Sequence, residues 1–524
     1  MLRVTRGNRV TIDFCIAGGA FLLALIYSLY WFSYCDRKLL LFLALLGSLL
    51  IASLVFIHRI GSLSSDRRRL FAIGIVLALF CFIFTFLFPP LSVPDEGHHY
   101  MSTYWLSDML LGQASFDGGS HFPVRSEDYA LYEFFSGKSI GIASFDGVFS
   151  SLKLFANPSL HSVDMSLYSF TIGSENVLAK VGSVLGLTVG RLVGLGAIPT
   201  FYLGRLGSGV FYSLCVIMAI KLTPVGKSVF TVAALLPMSL HLAASYSYDS
   251  GIIALSFLLI AVALRLHYGD EAVTPQEMIT AIILAAAVTP LKVVYAAIVF
   301  LLLIVPSRRF DSARSALIFK VVICASCIAS FALIRLSSVA SLAASSSGGL
   351  DERLGEVGHY YTLSQLLSNP VATLGLLFRT IDNLGDFYLL SMFGYSLGQL
   401  QGNLQFPFFF VVGMLIVCLI SAQRTEMEGM GFSPGIRILF ITIASLCLLG
   451  LMISMALGWT FDTENVIQGV QGRYLLPVLP LLLMCFRSTR LRIEGDIFSF
   501  SLTSISIINI LYLIRFGAMA LMLP

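Results

Sequence analysis

Runs of about twenty apolar residues recur along this 524-residue chain, and they constrain its fold more than any other feature. As a helix, such a run crosses about 30 Å of hydrocarbon and satisfies its own backbone groups where no water is present. Only 12% of the residues are charged and the mean hydropathy is +0.88, whereas a soluble domain carries roughly 25% charged residues. An all-α integral membrane bundle is therefore predicted, neither a water-soluble globule nor a β-barrel.

The expected crossings are thirteen: 11–33, 39–57, 70–90, 203–220, 228–245, 251–266, 278–290, 293–306, 315–335, 405–421, 436–457, 474–486 and 497–519. The first follows Arg3, Arg6 and Arg9, but the run is long and has no A-x-A-like cleavage site, so it reads as a membrane helix and not a signal peptide. Orientation follows from Lys and Arg in short loops. Arg59 and Arg67 to Arg69, Lys221 and Lys227, and Arg308, Arg309 and Arg314 all fall on the same side as the N-terminal arginines, read as the cytoplasm. The same rule makes 278–306 a hairpin turning at Pro290, Leu291 and Lys292. It makes 370–395, which holds Arg379, Asp382 and Asp386, an interfacial or re-entrant helix.

This threading places residues 91–190 outside, and that stretch carries ten Asp and Glu against four Lys and Arg. So long a connection is expected to fold as a small extracytoplasmic domain or lid. Residues 244–251, 336–369 and 458–473 also face outward, with Ser345 to Gly349 as a flexible link. No internal repeat is evident, which weighs against the inverted repeats of secondary transporters. Net charge is only +4 with no basic tract, so no nucleic-acid partner is expected. Eight of the nine cysteines lie in apolar runs, Cys35 being the exception, and the CxxC formed by Cys324 and Cys327 reads as helix packing. A disulfide framework and a structural metal are not expected.

The sharpest local signal is FPPLSVPDEGHHY, residues 88–100, where Pro89, Pro90 and Pro94 end the third crossing and set Asp95, Glu96, His98 and His99 at its outer mouth. A carboxylate there suits a general base that deprotonates an attacking hydroxyl; a solvated helix-end turn is the plain alternative. A metal reading of the histidines lacks an HExxH pattern, so no metal is expected. Arg191, Arg205, Lys292 and Arg473 stand near the same mouth and would suit an anionic phosphate, although snorkelling explains Arg191 and Arg205 equally well. Lys292 in a Pro-containing turn between short apolar segments demands a partner. VIQGVQGRYLLPVLP, residues 466–480, brings Gln471, Arg473 and Tyr474 to this side. Asp249 in SYSYDSG reads most simply as a cap for the next helix. Tyr100, Tyr104, Tyr129 and Tyr132 suit sugar stacking or core packing alike.

Taken together, PDEGHHY after a Pro-Pro helix end, GRLVGLGAIPTFYLGRLGSGVFY, LPMSLHLAASYSYDSGIIALSFL, LKVVYAAIVFLLLIVPSRRF and QGRYLLPVLP resemble, in this order, the bacterial membrane proteins of domain of unknown function 2142, grouped with the GT-C glycosyltransferases. The resemblance spans roughly residues 70–500, and it departs from the family's habit of placing Pro after the Asp-Glu pair, where Gly97 stands here. It implies a GT-C-like module over 70–524 with two additional N-terminal helices in 1–69, a periplasmic loop domain at 91–190 and a periplasmic or interfacial segment at 336–404.

The resemblance further implies a glycosyltransferase of the bacterial inner membrane with its site facing the periplasm. The donor would be a polyprenyl-phosphate sugar such as an undecaprenyl-phosphate one, and the acceptor an envelope glycan such as the O-antigen of lipopolysaccharide. Asp95 becomes the favoured base, Glu96 its support or substitute, and Arg473 the leading phosphate ligand, with Lys292, Arg205 and Arg191 behind it. His98, His99, Tyr474, Gln471 and Asp249 are substrate-binding candidates. No cofactor is expected and the transfer would be inverting. The alternatives are a lipid-linked glycan flippase, which should place polar groups on both sides of the membrane, and a glycan polymerase or ligase, which differs only in donor size.

Overall fold

The computed structural model describes residues 66–113, 121–136, 165–169, 176–269, 271–336, 351–353, 355–398, 405–423, 431–488, 493 and 496–521. The first two expected crossings, 11–33 and 39–57, and the Ser345 to Gly349 link lie outside the described residues. In chain order the first elements are α1 (Asp66–Leu87), α2 (Glu96–Leu110), β1 (His121–Arg125), α3 (Ser126–Phe135), β2 (Met165–Ser169), α4 (Val177–Leu192) and α5 (Ala197–Leu222). There follow α6 (Lys227–Ala234), α7 (Pro237–Ala243), α8 (Asp249–Tyr268), α9 (Pro275–Val288), a 3-10 helix Val293–Val299 running into α10 (Phe300–Leu303), and α11 (Ala313–Ile334). The last are β3 (Asp351–Arg353), β4 (Glu356–Gly358), α12 (Leu363–Ser368), α13 (Pro370–Phe393), α14 (Phe408–Ser421), α15 (Pro434–Gly458), a 3-10 helix Gly472–Val478 running into α16 (Leu479–Cys485), and α17 (Ile497–Leu521).

The protein is mostly helical, and among the described residues six helices, α1, α5, α8, α11, α15 and α17, are long and apolar enough to cross a membrane. Four further crossings expected from sequence are shorter apolar helices here: 278–290, 293–306, 405–421 and 474–486. Expected crossing 228–245 is broken in two. Pro237 has no N–H for the carbonyl of Ala233, so α6 stops and α7 starts afresh. Three side chains take up the orphaned carbonyls: Ser239 Oγ donates to Ala233 O at 2.8 Å, Tyr212 to Ala234 O at 2.9 Å and Asn509 to Leu235 O at 2.7 Å.

Burial separates the helices by position and not by composition. α8 is enclosed along nearly its whole length, whereas α11, equally apolar, buries only Ala316, Phe319 and Ile323 and turns the rest outward. α4 and α5 approach backbone to backbone: a Cβ on Gly186 would strike the Leu203 carbonyl, and one on Gly207 the Gly182 carbonyl, the small-residue contact typical of membrane helix pairs. The described part of 91–190 packs a separate core in which Tyr100, Tyr104, Phe122 and Leu131 meet Phe201, Tyr246 and Leu187. β1 and β2 pair antiparallel, Phe122 opposite Tyr168.

α13 falls within the expected interfacial stretch and is not one of the six long apolar helices. It has three faces. Leu376, Thr380 and Tyr388 are buried; Val371, Leu374, Phe378 and Ile381 are exposed and apolar; Arg379, Asp382 and Asp386 are exposed and charged.

Candidate functional site

The site begins where α1 ends. Pro89 cannot donate to the carbonyl of Thr85 four residues earlier, so that carbonyl would be an orphan in an apolar interior. Arg205, from α5, supplies the missing donors: Nη1 reaches Thr85 O at 3.1 Å and Phe88 O at 2.7 Å, and Nη2 reaches Pro89 O at 2.8 Å. The same guanidinium grips Glu96 with both edges, Nε to Oε1 at 2.9 Å and Nη2 to Oε2 at 2.7 Å. Both side chains are fully buried. Glu96 also accepts from the backbone N–H groups of Val93 and Tyr246, at 3.3 and 3.1 Å. A carboxylate so saturated has no lone pair to offer a substrate.

Within this frame the chain turns sharply, with Leu91 at φ 56° and Asp95 at φ 61°. Left-handed backbone is unfavourable for a residue with a side chain, though Asp tolerates it better than most. At Asp95 it sends the side chain away from its neighbour: Asp95 precedes the first residue of α2, makes no capping hydrogen bond, and points to Arg473, whose Nη2 donates to Oδ2 at 2.7 Å.

Arg473 is the centre of a five-residue network. Its Nη2 also donates to the Tyr474 hydroxyl at 3.2 Å, and its Nε lies 3.1 Å from Asp249 Oδ2. Asp249 in turn accepts from Lys292 Nζ at 2.9 Å on Oδ1. Lys292 sits 3.8 Å from the centre of the Tyr474 ring and 4.9 Å from that of Tyr248, close enough for cation–π attraction. Two cations and two carboxylates are thus collected from the residue before α2, the start of α8, the break after α9 and the 3-10 helix that opens at Gly472. Asp249 does not cap α8 as the sequence alone suggests, because Tyr248 occupies the cap and the carboxylate bridges Lys292 and Arg473 instead. Gly472 lets the Arg473 segment lie directly on α13: its N–H donates to Ser391 Oγ at 3.0 Å, and a Cβ there would run into the Tyr388 carbonyl.

Asp95 stands between this network and a polar cleft of about 190 Å³ lined by Asp95, His98, Tyr132 and Ser136 beside Leu91, Val93, Glu96 and Gly97. His98 therefore faces the cleft. His99 is buried instead, edge-on to Tyr248 at 4.4 Å, and its Nδ1 makes no hydrogen bond among the described residues. Burial and the nearby cations Lys180, His98, Arg473 and Lys292 hold His99 well below the usual histidine range, so it is neutral at pH 7. Gln471 precedes the 3-10 helix, its Oε1 buried and without a hydrogen bond among the described residues. A Cβ on Gly97 would meet the Tyr132 ring at 3.3 Å, so the small residue lets α3 close over α2.

Arg191 is not part of this site. Its Nη2 pairs with Asp108 at 2.5 Å and its Nη1 donates to Ser107 at 2.9 Å, near the far end of α2. Thirteen residues of helix separate Asp108 from Asp95, about 20 Å at 1.5 Å per residue. Arg205 is equally committed, to Glu96 and three carbonyls. Sequence reasoning counted Lys180 only as loop charge, yet it is buried, donates to Ser102 and lies 6.0 Å from the Tyr248 ring. A lysine inside the apolar repeat of α4 was the signal for it. Arg335, which donates to Pro290 O at 2.5 Å and Leu291 O at 2.6 Å and so holds the Lys292 turn, carried no signal beyond its place at a helix end.

The network lies at one end of the bundle. At the other end, Asp66 opens α1 and pairs with Lys227 at 2.7 Å, and Arg69 pairs with Asp496 at 3.3 Å. The 22 residues of α1 between them span about 33 Å, the thickness of a membrane's hydrocarbon. Among the described residues no group of three or more His, Cys, Asp and Glu is arranged to hold a metal ion.

Over residues 77–482 the chain matches the family described as predicted membrane protein, domain of unknown function 2142. It belongs to that family. No curated protein and no solved structure matches it. This family of membrane proteins accords with the several long apolar helices and with a place in a lipid bilayer.

Proposed function

We propose that this member of the 2142 family is a GT-C-type glycosyltransferase of the bacterial cytoplasmic membrane, with thirteen crossings, a periplasmic domain over 91–190 and its site facing the periplasm. The observation that carries the reading is the position of Asp95, a 60% exposed carboxylate between a buried cation pair and a polar cleft. General-base transfer from a phosphate-linked donor needs those three parts side by side. Arg473 and Lys292 hold the phosphate of a polyprenyl-phosphate sugar arriving from the outer leaflet. The acceptor hydroxyl, from an envelope glycan such as O-antigen, enters the cleft beside His98, Tyr132 and Ser136.

Asp95 takes the hydroxyl proton as the oxygen forms its bond to the anomeric carbon. The bond from that carbon to the phosphate oxygen breaks, its electron pair leaves on the lipid phosphate, and the two cations neutralise the charge. Attack from the opposite face inverts the centre. Glu96 and Arg205 act as a buried brace that fixes the loop bearing Asp95, and Arg191 ties α2 to α4. That the charged network gathers at one end of the bundle favours a transferase over a flippase.

The test is transfer from a panel of undecaprenyl-phosphate sugars to envelope glycans by the purified wild type and Asp95→Asn. Transfer by the wild type that the variant loses is the expected result. Equal transfer by both would remove Asp95 as base, and transport of lipid-linked glycan in vesicles without any transfer would replace the reading with a flippase.

A further inference from the structure

Arg473 and Asp95 are unequal partners. Arg473 is 2% exposed and pinned by Gly472 against α13, whereas the Asp95 side chain is 60% exposed on a left-handed hinge. On the inner side, Asp249 and Lys292 are nearly buried as well. Asp95 is therefore the one member of the network that water can replace without unpacking the bundle. It also leaves Arg473 incompletely served: Nη1 is buried and makes no hydrogen bond among the described residues, and Nε meets Asp249 Oδ2 at 3.1 Å only as an ion pair. A buried guanidinium with an unmet donor is costly, and the donor's phosphodiester brings two non-bridging acceptor oxygens on one centre where Asp95 turns one oxygen to Arg473. Both anions claim the same edge, because Nη2 is the donor that Asp95 occupies.

We infer that the Asp95–Arg473 contact is a resting lock that the phosphate of the lipid donor opens. The phosphate takes Arg473 from Asp95, and the released carboxylate turns on its hinge toward the cleft and becomes free to accept a proton. The base is thus withheld until a donor is seated, which protects the site from idle chemistry with water. This inference rests on the proposed transferase reading and specifies how its site is regulated.

It predicts an unusual pairing of effects: removing the catalytic carboxylate should tighten binding of the lipid phosphate. The measurement is binding of undecaprenyl phosphate, with inorganic phosphate in parallel, to the wild type, Asp95→Asn and Asp95→Gly in detergent. Glycine suits the φ of 61° and so guards against misfolding of the asparagine variant. Both variants should bind the lipid phosphate about two- to fivefold more tightly, the scale of one half-exposed ion pair. Asp382→Asn, which removes an exposed carboxylate from α13, should bind as the wild type does. Tightening with inorganic phosphate as well would make the headgroup alone the opener; tightening confined to the lipid would make the chain necessary too. Equal or weaker binding by both Asp95 variants, or equal tightening in Asp382→Asn, would overturn the lock and leave the transferase reading standing. Absence of binding in every protein would bring down both.

Discussion

The brace at the end of α1 makes the most quantitative demand on the protein, and Arg205→Met is the perturbation that exposes it. Methionine keeps the apolar stem and roughly fills the space, so little of the loss comes from packing. What disappears is a guanidinium that makes five hydrogen bonds, two to Glu96 and one each to Thr85 O, Phe88 O and Pro89 O. Glu96 is left as a fully buried carboxylate with only the N–H groups of Val93 and Tyr246. Breaking one side of a buried ion pair costs about 3–5 kcal/mol, and the three stranded carbonyls place the change at the upper end.

The double replacement Glu96→Leu with Arg205→Met separates the contributions. Removing both charges is often neutral elsewhere, but here the carbonyls still lack donors because prolines follow, so the pair should remain destabilised by about 2–3 kcal/mol, near 1 kcal/mol for each. Equilibrium unfolding in mixed micelles, followed by tryptophan fluorescence, measures both. A loss below about 1 kcal/mol for Arg205→Met would refute the brace, since surface arginines lose about that much. A neutral double variant would refute the account of the prolines.

Two further predictions concern other parts of the site. Burial pushes the Asp108 carboxyl up to about 6 against the pull of Arg191. Its folded value lies above its unfolded one, so its contribution is full below about pH 4 and is lost as pH rises through about 6, by up to about 3 kcal/mol; Asp108→Asn should flatten thermal stability between those limits, and an unchanged slope would refute this. Gly472→Ala drives a methyl into the Tyr388 carbonyl and the Met392 N–H; overpacking of about 1–3 kcal/mol and displacement of Arg473 should weaken undecaprenyl phosphate binding, whereas Gly413→Ala, with open space around it, should change neither.

Much of the architecture was legible because hydrophobic length is a one-dimensional property. Every expected crossing within the described residues is helical, and the stretch 370–395, set apart in the sequence by the positive-inside rule, is a helix here too. The break at Pro237 was equally written in the sequence, as a residue without an N–H, but the reading of 228–245 as one helix overlooked it. Asp249 was misread as a cap because the local pattern of an acidic residue before an apolar run is the same whether the carboxylate turns back to its own helix or across to Lys292.

The sequence by itself determined a helical membrane protein with a concentration of ionisable residues outside its helix ends, since apolar runs and the proline positions suffice for that. Tertiary structure alone decided which partners those residues meet. Asp95 and Glu96 are neighbours of the same type, yet one left-handed φ turns the first toward water and Arg473 while the second is drawn inward to Arg205, 109 positions away. The roles of Arg191, Arg205 and Arg473 diverge for the same reason: a buried charge takes its function from the partner that folding brings to it, and that partner is distant in sequence.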